Sequence, residues 1–333
     1  MSSSSTEPRR VTIHDVARSA GVSRQTVSRA LNDKAEIDGS TKQRVLDAAR
    51  ELGYRPSRFA RGLVRPDTTT IGLVVPDLLN PFFTEVASGA LAAARRRGWH
   101  VVVHDTTDDP EQELATLRVI GTQVDAVVGY FSRSDEDLDR LTAGIPVVLL
   151  GREPRIPRFS GIGIDGEDGV REAVAHLVSR GHRRIGMLDG HPAPSVRQRW
   201  FRRAAAECGI AVHPGWVTGA AQTVDGGGTA LATLLAAHPD VTAVFAFNDV
   251  MAIGALREAR RFGLRVPADL AVIGFDGLAL GTLVEPELSS VAVDTRALGS
   301  LAVEQAARLV TGATPLEPGE LIIRAGLHLR ESA

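Results

Sequence analysis

The stretch "VTIHDVARSAGVSRQTVSRALN", residues 11–32, predicts two short helices joined by a tight turn. The apolar residues of the first helix follow the spacing i, i+3, i+4, i+7 of one helix face: Ile13, Val16, Ala17 and Ala20. Thr12 is a candidate N-cap, and Gly21 ends this helix because glycine accepts the backbone of a tight turn. Ser23 can cap a second helix that reaches about Leu31.

The second helix exposes a polar face on the side opposite Val27. Its outward residues lie in the first turn and one turn on: Arg24, Gln25, Ser28 and Arg29. Arginine pairs bidentately with guanine and glutamine with adenine, so these residue types suit major-groove reading. The alternative from this pattern alone is a helical hairpin with a purely structural role.

A third helix is predicted from Ser40 or Thr41 to Gly53, because its apolar residues share one face: Val45, Ala49 and Leu52. The three helices form a small bundle. A helix, a tight turn containing glycine, and a second helix with exposed polar side chains make a helix-turn-helix arrangement.

Charge is distributed unevenly along the chain. Residues 1–65 contain 13 Lys/Arg and 7 Asp/Glu, a net charge of +6, whereas the whole chain has a net charge of -2. The remainder therefore has a net charge of -8. A basic head on an acidic body indicates that the head alone meets a polyanion, and a solvated charged face is the alternative.

Composition predicts a globular chain with a packed core in a reducing, cytoplasmic setting: 44% of the 333 residues are hydrophobic and 23% are charged. Cys208 is the single cysteine, so no internal disulfide forms, and no Cys/His cluster has zinc-ligand spacing. Residues 1–10 lack the apolar core of a signal peptide and are expected to be a disordered tail. No apolar run approaches the roughly 18 residues of a membrane span.

From Thr70 onward, short Val/Ile-rich runs alternate with amphipathic helical stretches. The runs are "TIGLVV", "WHVVVHD", "DAVVGYF", "IPVVLLG", "RRIGMLDG", "VTAVFAFND", "LAVIGFDG" and "LIIRAGLHLR". This alternation predicts parallel sheets covered by helices on both faces, arranged as two similar subdomains. In open α/β sheets the ligand cleft borders the carboxyl ends of the strands.

The motifs together closely resemble the lac repressor (LacI/GalR) family. The resemblance begins with residues 11–32 and "GYRPSRFARGL" and continues in the family's order through residue 331. Its later motifs are "PDLLNPFF", "PVVLLGR", "HLVSRGHRRIGML", "VFAFNDVMAIGAL", "VIGFDG" and "LHLRES". It implies a helix-turn-helix domain (11–55), a hinge helix and linker (56–69), and an effector and dimerisation domain (70–333). That last domain is periplasmic-binding-protein-like, with doubly wound parallel sheets. Its N-subdomain covers about 70–164 and 294–321, and its C-subdomain about 165–293 and 322–333.

The resemblance also implies roles for residues of the DNA-binding region. Arg24, Gln25 and Arg29 match positions that read bases. Matches to positions at the phosphate backbone, at neighbouring bases or in the hinge helix are Thr12, Ser23, Ser28, Asn32, Tyr54, Ser57, Ala60, Arg61 and Leu63. Leu63 matches the apolar wedge that enters the minor groove and kinks the duplex. Gly62 departs from the helix-prone or polar residue of many relatives, and should make this hinge harder to order without DNA.

The same resemblance implies an effector site in the cleft. Its candidate residues are Phe82, Arg152, Arg197, Thr223, Asn248 and Asp276; of these, Arg152 and Thr223 are weaker candidates, together with Asp105 and Gly151. Hydrogen-bonding groups beneath an aromatic face suit a sugar or a nucleoside. Three alternatives concern single residues: Phe83 is expected in the core, and Asn248 and Asp276 could each merely cap the following helix. Trp200 stands where relatives have glycine.

Two glycine-rich matches are set aside. "GIGIDG", residues 161–166, lacks the apolar strand that a dinucleotide site requires, and "DGGGTA" lacks the Lys-Ser/Thr of a phosphate loop and is expected to start a helix.

The sequence thus predicts a sequence-specific transcriptional regulator, expected to be a repressor, that binds double-stranded operator DNA as a homodimer. A small-molecule effector, a sugar or nucleoside, would control it allosterically. The expectation includes a cytoplasmic location with nucleoid association on DNA, no membrane, no cofactor, no metal and no enzymatic activity. The alternative is a sugar-binding protein or sugar-metabolising enzyme on the same two-lobed fold.

Overall fold

The computed structural model describes residues 13–31, 37–52, 69–121, 123–142, 144–190, 194–317 and 319–333. Contacts divide the chain into two units, Met1–Thr69 and Thr70–Ala333. The predicted tail and several predicted DNA-binding residues lie outside the described residues: Thr12, Asn32, Tyr54, Ser57, Ala60, Arg61 and Leu63, with Gly62 between the last two. The side chain of Ser28 also lies outside them.

The described part of the first unit contains three helices: α1 (Ile13–Ala20), α2 (Arg24–Leu31) and α3 (Gly39–Glu51). They enclose a small core of buried residues: Val16, Ala20, Val27, Ala30, Val45, Ala48 and Ala49. Gly21 has φ +66°, and the Thr26 amide donates to Ser23 Oγ at 3.1 Å, as the predicted turn and cap require. The predicted start of α3 was wrong, because the Asp38 carboxylate accepts from the Thr41 amide at 3.1 Å and allows the helix to begin earlier.

The second unit begins with five strands and three helices: β1 (Thr70–Val75), α4 (Pro81–Arg96), β2 (His100–Asp105), α5 (Pro110–Ile120), β3 (Ala126–Gly129), α6 (Asp135–Leu141), β4 (Val147–Leu150) and β5 (Ser160–Asp165). The chain then enters a second lobe: α7 (Glu167–Ser179), β6 (Ile185–Gly190), α8 (Val196–Glu207), β7 (Val217–Ala220), α9 (Val224–Ala237), β8 (Ala243–Ala246), α10 (Asp249–Arg261), β9 (Ala271–Asp276) and β10 (Ser289–Ala292). It closes with α11 (Thr295–Val310), β11 (Ile322–Arg324) and β12 (Gly326–His328).

The strands form two six-stranded sheets, one in each subdomain. The first has the order β11-β5-β4-β3-β1-β2 and all its strands are parallel. The second has the order β12-β10-β9-β8-β6-β7, and only β12 runs antiparallel to its neighbour. Strands β3, β4, β6, β8 and β9 are buried along their whole length, as strands covered on both faces are. This confirms the predicted α/β class.

The chain passes between the subdomains three times. The run "LIIRAGLHLR", predicted as one strand, divides at Ala325 because Ile322–Arg324 pairs with β5 in the first sheet while Gly326–His328 pairs with β10 in the second. The last crossing therefore lies beyond the expected boundary at residue 321. "DGGGTA" lies in the first turns of α9, as expected.

Within the first subdomain, α4 and α11 pack at backbone contact. A Cβ atom on Gly89 would meet the carbonyl of Arg296, and one on Gly299 would meet the carbonyl of Val86. The two helices therefore form one rigid pair.

Candidate functional site

A cavity of about 220 Å³ lies between the two sheets, at the carboxyl ends of their strands. Its lining residues from the first subdomain include Asn80, Phe82, Phe83, Tyr130 and Gly151, and those from the second include Arg197, Trp200, Gln222, Phe247, Asn248, Phe275 and Asp276. Four of the six predicted effector residues are therefore brought together: Phe82, Arg197, Asn248 and Asp276. Their role in binding an effector remains a prediction.

The start of α4 provides an aromatic wall. Asn80 caps this helix by accepting from the Phe82 amide at 3.1 Å, and Pro81 fixes its first turn. The rings of Phe82, Phe83 and Tyr130 meet edge to face, with centroids 5.3 to 6.2 Å apart. The expectation that Phe83 lies in the core was wrong, because Phe83 is only partly buried and lines the cavity; Phe82 lines the cavity as expected and, at 5% exposed, also belongs to the core.

Arg197 and Asp276 form a buried ion pair on the floor of the cavity. The guanidinium of Arg197 donates to Asp276 Oδ1 at 3.2 Å and to the Phe247 carbonyl at 2.5 Å. It lies between two rings, 4.4 Å from the centroid of Phe247 and 3.9 Å from that of Phe275. Cation–π contact in a desolvated site adds to the charge pairing. The arginine is thereby held in one orientation.

The N-terminus of α8 fixes the position of Arg197. Ser195 caps the helix by accepting from the Gln198 amide at 3.0 Å, and its hydroxyl donates to Asp189 Oδ1 at 2.5 Å. Asp189 is fully buried and also accepts from the amide of Ser195. This carboxylate therefore holds the helix start that carries Arg197.

Burial dominates the electrostatics of the pair. It raises the pKa of Asp276 to about 8, against the opposing effect of Arg197, and it lowers the pKa of Arg197, against the opposing effect of Asp276. Asp276 has φ +117°, which is rare for a residue with a side chain. Strain of this kind concentrates at functional sites.

Asn248 combines the two roles considered for it. Its side-chain oxygen caps α10 by accepting from the Met251 amide at 2.9 Å, and the residue also lines the cavity. The capping oxygen is occupied, so the amide NH₂ group is the part able to donate to a ligand.

Tyr130 and Trp200 were not predicted as site residues. The Tyr130 hydroxyl is buried with no hydrogen-bond partner among the described residues, and burial raises the pKa of this phenol. Trp200 stacks on Phe275 with centroids 6.4 Å apart. Tyr130 directly follows the apolar run "AVVG", and that position at a strand end is the feature of the sequence that could have identified it.

Two predicted effector residues lie elsewhere. Arg152 donates to Asp135 Oδ1 at 2.5 Å and lines a separate cavity of about 390 Å³ beside Asp108 and Glu113. Thr223 caps α9 by accepting from the Gly226 amide at 3.0 Å, and does not line the cleft cavity.

Of the other two weaker candidates, Gly151 lines the cleft cavity and Asp105 does not. Gly151 touches both cavities, with φ +76°. Asp105 accepts from the amides of Thr107 and Leu78 and so has a local structural role.

Helix α2 of the first unit presents the predicted DNA-reading side chains to solvent. Ser23, Arg24, Gln25 and Arg29 are exposed, while Val27 and Ala30 on the other side are buried. The side chains of this face are therefore available to a partner, and base reading by them remains a prediction.

Among the residues that the structure describes, no group of three or more His, Cys, Asp or Glu could hold a metal ion. Within the same ranges, no helix has both the length and the apolar character needed to cross a membrane.

Sequence comparison matches two family profiles. Bacterial regulatory proteins of the lacI family match residues 12–57, and a periplasmic binding protein-like domain matches residues 174–333. The chain is 34% identical over 324 residues to the HTH-type transcriptional repressor CytR of Escherichia coli, a match that covers 94% of this chain and 95% of the relative.

Two solved structures are similar over nearly the whole chain. The transcriptional regulator CelR–cellobiose complex has 32% identity and a TM-score of 0.72, covering 97% of this chain and 100% of that one. The lac repressor dimer bound to operator and the anti-inducer ONPF has 27% identity and a TM-score of 0.72, covering 97% of this chain and 99% of that one.

Proposed function

The chain belongs to the LacI family of bacterial transcriptional regulators, and from this premise we propose that a sugar bound in the cleft cavity controls its affinity for operator DNA. This family membership favours a transcriptional regulator over the alternative, a sugar-binding protein or enzyme on the same fold. The observation that supports a sugar is the Arg197–Asp276 pair beneath aromatic rings, with the unpartnered Tyr130 hydroxyl nearby.

Each part of this site suits a hydroxylated ring. A guanidinium and a carboxylate side by side donate to and accept from neighbouring hydroxyl groups, and aromatic rings cover the apolar face of a sugar. The cellobiose complex of a similar regulator agrees with this ligand class. Sugar binding would also provide a partner for the buried Tyr130 hydroxyl, whose burial otherwise costs about 1–3 kcal/mol.

For DNA, we assign base reading to Arg24, Gln25 and Arg29, and backbone contacts to Ser23 and Ser28. The remaining assignments follow the family resemblance: Thr12, Asn32, Tyr54 and Ser57, with the hinge residues Ala60, Arg61 and Leu63. Binding represses transcription in this proposal, because the similar CytR protein is a repressor. The protein acts in the cytoplasm and joins the nucleoid when it occupies an operator.

The regulator works as a homodimer, like the lac repressor dimer on its operator. Homodimers with twofold symmetry are the commonest oligomers of soluble proteins.

The test begins with operator fragments selected from random duplexes by the full-length protein. Their binding is titrated at fixed salt with and without cellobiose, lactose, ribose and cytidine, after a thermal-shift screen of the same compounds. A sugar that raises the melting temperature and changes operator affinity supports the proposal, whereas a response to cytidine alone would indicate a nucleoside effector instead. Sequence-specific binding that no sugar in the screen alters would reject a sugar effector while retaining the DNA function.

A further inference from the structure

Glu85, on α4 of the first subdomain, contacts two segments that surround the effector cavity. Its Oε2 accepts from the Thr295 hydroxyl at 2.7 Å, at the start of α11. Its Oε1 accepts from the Ala279 amide at 3.4 Å, in the second subdomain. One carboxylate thus joins the rigid α4–α11 pair of the first subdomain to a loop of the second.

The loop that Glu85 contacts is the continuation of the strand that ends in Asp276. Gly277 has φ +74° and donates its amide to Ser290 Oγ at 3.0 Å, and the Leu278 amide donates to the buried Asp249 carboxylate at 2.7 Å. The side chain of Leu278 is fully buried. Gly277, Leu278 and Ala279 connect Asp276 to the contact with Glu85, and these bonds hold them in place. A displacement of Asp276 is therefore transmitted along the loop to Glu85.

We propose that Glu85 is the positioning residue that couples the effector-contacting end of β9 to helix α11. This inference rests on the proposed function. A ligand that moves Asp276 would change the hydrogen bond between the Ala279 amide and Glu85, and would thereby change the hydrogen bond between Glu85 and Thr295. The first subdomain receives this change, and its strand β1 follows the DNA-binding region directly in the sequence.

A second route from Asp276 to α11 exists in the backbone. The Val293 amide donates to the Asp276 carbonyl at 3.0 Å, two residues before Thr295. The two routes make different predictions, because only the route through Glu85 depends on a side chain. A substitution at Glu85 separates them.

The test uses the full-length protein without DNA and without sugar, so the proposed function and this inference can fail independently. Hydrogen exchange is followed by mass spectrometry at pH 9, where the Asp276 carboxyl is ionised, in peptides that cover residues 295–305, for the wild type, Asp276→Asn, Glu85→Ala and the double variant. We expect Asp276→Asn to accelerate exchange in these peptides about threefold or more in the wild-type background, and to have little further effect in the Glu85→Ala background.

Three further variants sharpen the result. Glu304→Ala removes an exposed carboxylate from α11 itself and should leave the response to Asp276→Asn intact. Glu85→Gln retains one acceptor oxygen and should restore part of the coupling. Thr295→Val removes the other partner of Glu85 and should weaken the response even if Glu85→Ala proves too unstable to study. An equal response to Asp276→Asn in both backgrounds assigns the coupling to Val293 and overturns the proposal, as does the absence of any response at α11.

Discussion

The substitution Arg197→Met tests whether the cleft contains a buried ion pair or a solvated one. The Arg197 side chain is 15% exposed and that of Asp276 is 3% exposed. Removing one partner of a buried pair leaves the other charge unpaired and costs about 3–5 kcal/mol. Because the arginine retains some contact with solvent, we expect a loss near the lower end, about 3 kcal/mol.

The pH dependence of this loss has a definite sign. Burial raises the pKa of Asp276 to about 8, so the stability that its carboxyl contributes is fully present below the pKa of the unfolded chain and is lost as the pH rises through about 8. Arg197 opposes this rise in pKa, so its removal extends the loss to higher pH. The deficit of Arg197→Met should therefore be larger at pH 9 than at pH 6.

Urea unfolding followed by circular dichroism measures the free energies at both pH values. Adding Asp276→Asn to Arg197→Met removes the unpaired charge and should recover about 2 kcal/mol or more at pH 9. The matched control is Arg257→Met, because Arg257 pairs with an Asp225 side chain that is 89% exposed, and its loss should leave the free energy of unfolding nearly unchanged. A deficit for Arg197→Met no larger than that of the control, with no recovery in the double variant, would refute the buried pair.

Four further outcomes are expected. Tyr130→Phe should weaken sugar binding about tenfold by calorimetry and raise the melting temperature of the sugar-free protein, because it removes a buried hydroxyl that has no partner within the described residues; equal sugar affinity would remove Tyr130 from the site. Burial raises the pKa of Asp249 from its ordinary 3.8 to about 6, so its contribution to stability is lost as the pH rises from about 4 to about 6, and Asp249→Asn should flatten the pH dependence of melting between pH 4 and 6. Alanine at Arg24 or Gln25 should change the sequences selected from random duplexes, whereas an equal loss on all DNA would make these residues phosphate contacts. Gly62→Ala should tighten operator binding about fivefold in filter-binding titrations, from about 1 kcal/mol of helix propensity, and unchanged affinity would contradict a role for this glycine in hinge ordering.

The elements that could be predicted from the sequence are those that a local pattern of residues determines. Strands β1 and β9 consist mostly of apolar residues, and the spacing around Gly21 defines a helix, a turn and a helix whatever surrounds them. Strand β5, "SGIGID", was missed because alternate positions are glycine, and its place in the sheet depends on pairing with β4 and β11.

In the candidate site, local sequence motifs identify some residues, whereas the contacts between them depend on residues that are distant in the chain. Arg197 and Asp276 could be chosen from motifs, but their contact joins residues that lie far apart in the chain. Arg152 lies at a strand end like a site residue, yet the neighbouring Asp135 turns its guanidinium away from the cleft. Tyr130 also lies at a strand end, but its significance comes from burial, because its hydroxyl has no hydrogen-bond partner within the described ranges.

The last crossing of the chain, at Ala325, has a genetic consequence. Ala325 is 5% exposed, and its amide donates to the Asp165 carbonyl at 2.8 Å, between the edge strands of two different sheets. A nonsense or frameshift mutation shortly after residue 293 would remove α11 and an edge strand from each lobe at once. The truncated product would lose the packing of both lobes, and its second unit would be open to proteolysis. Such late alleles should therefore be recessive, since no stable half-protein would survive to form mixed dimers with the intact chain.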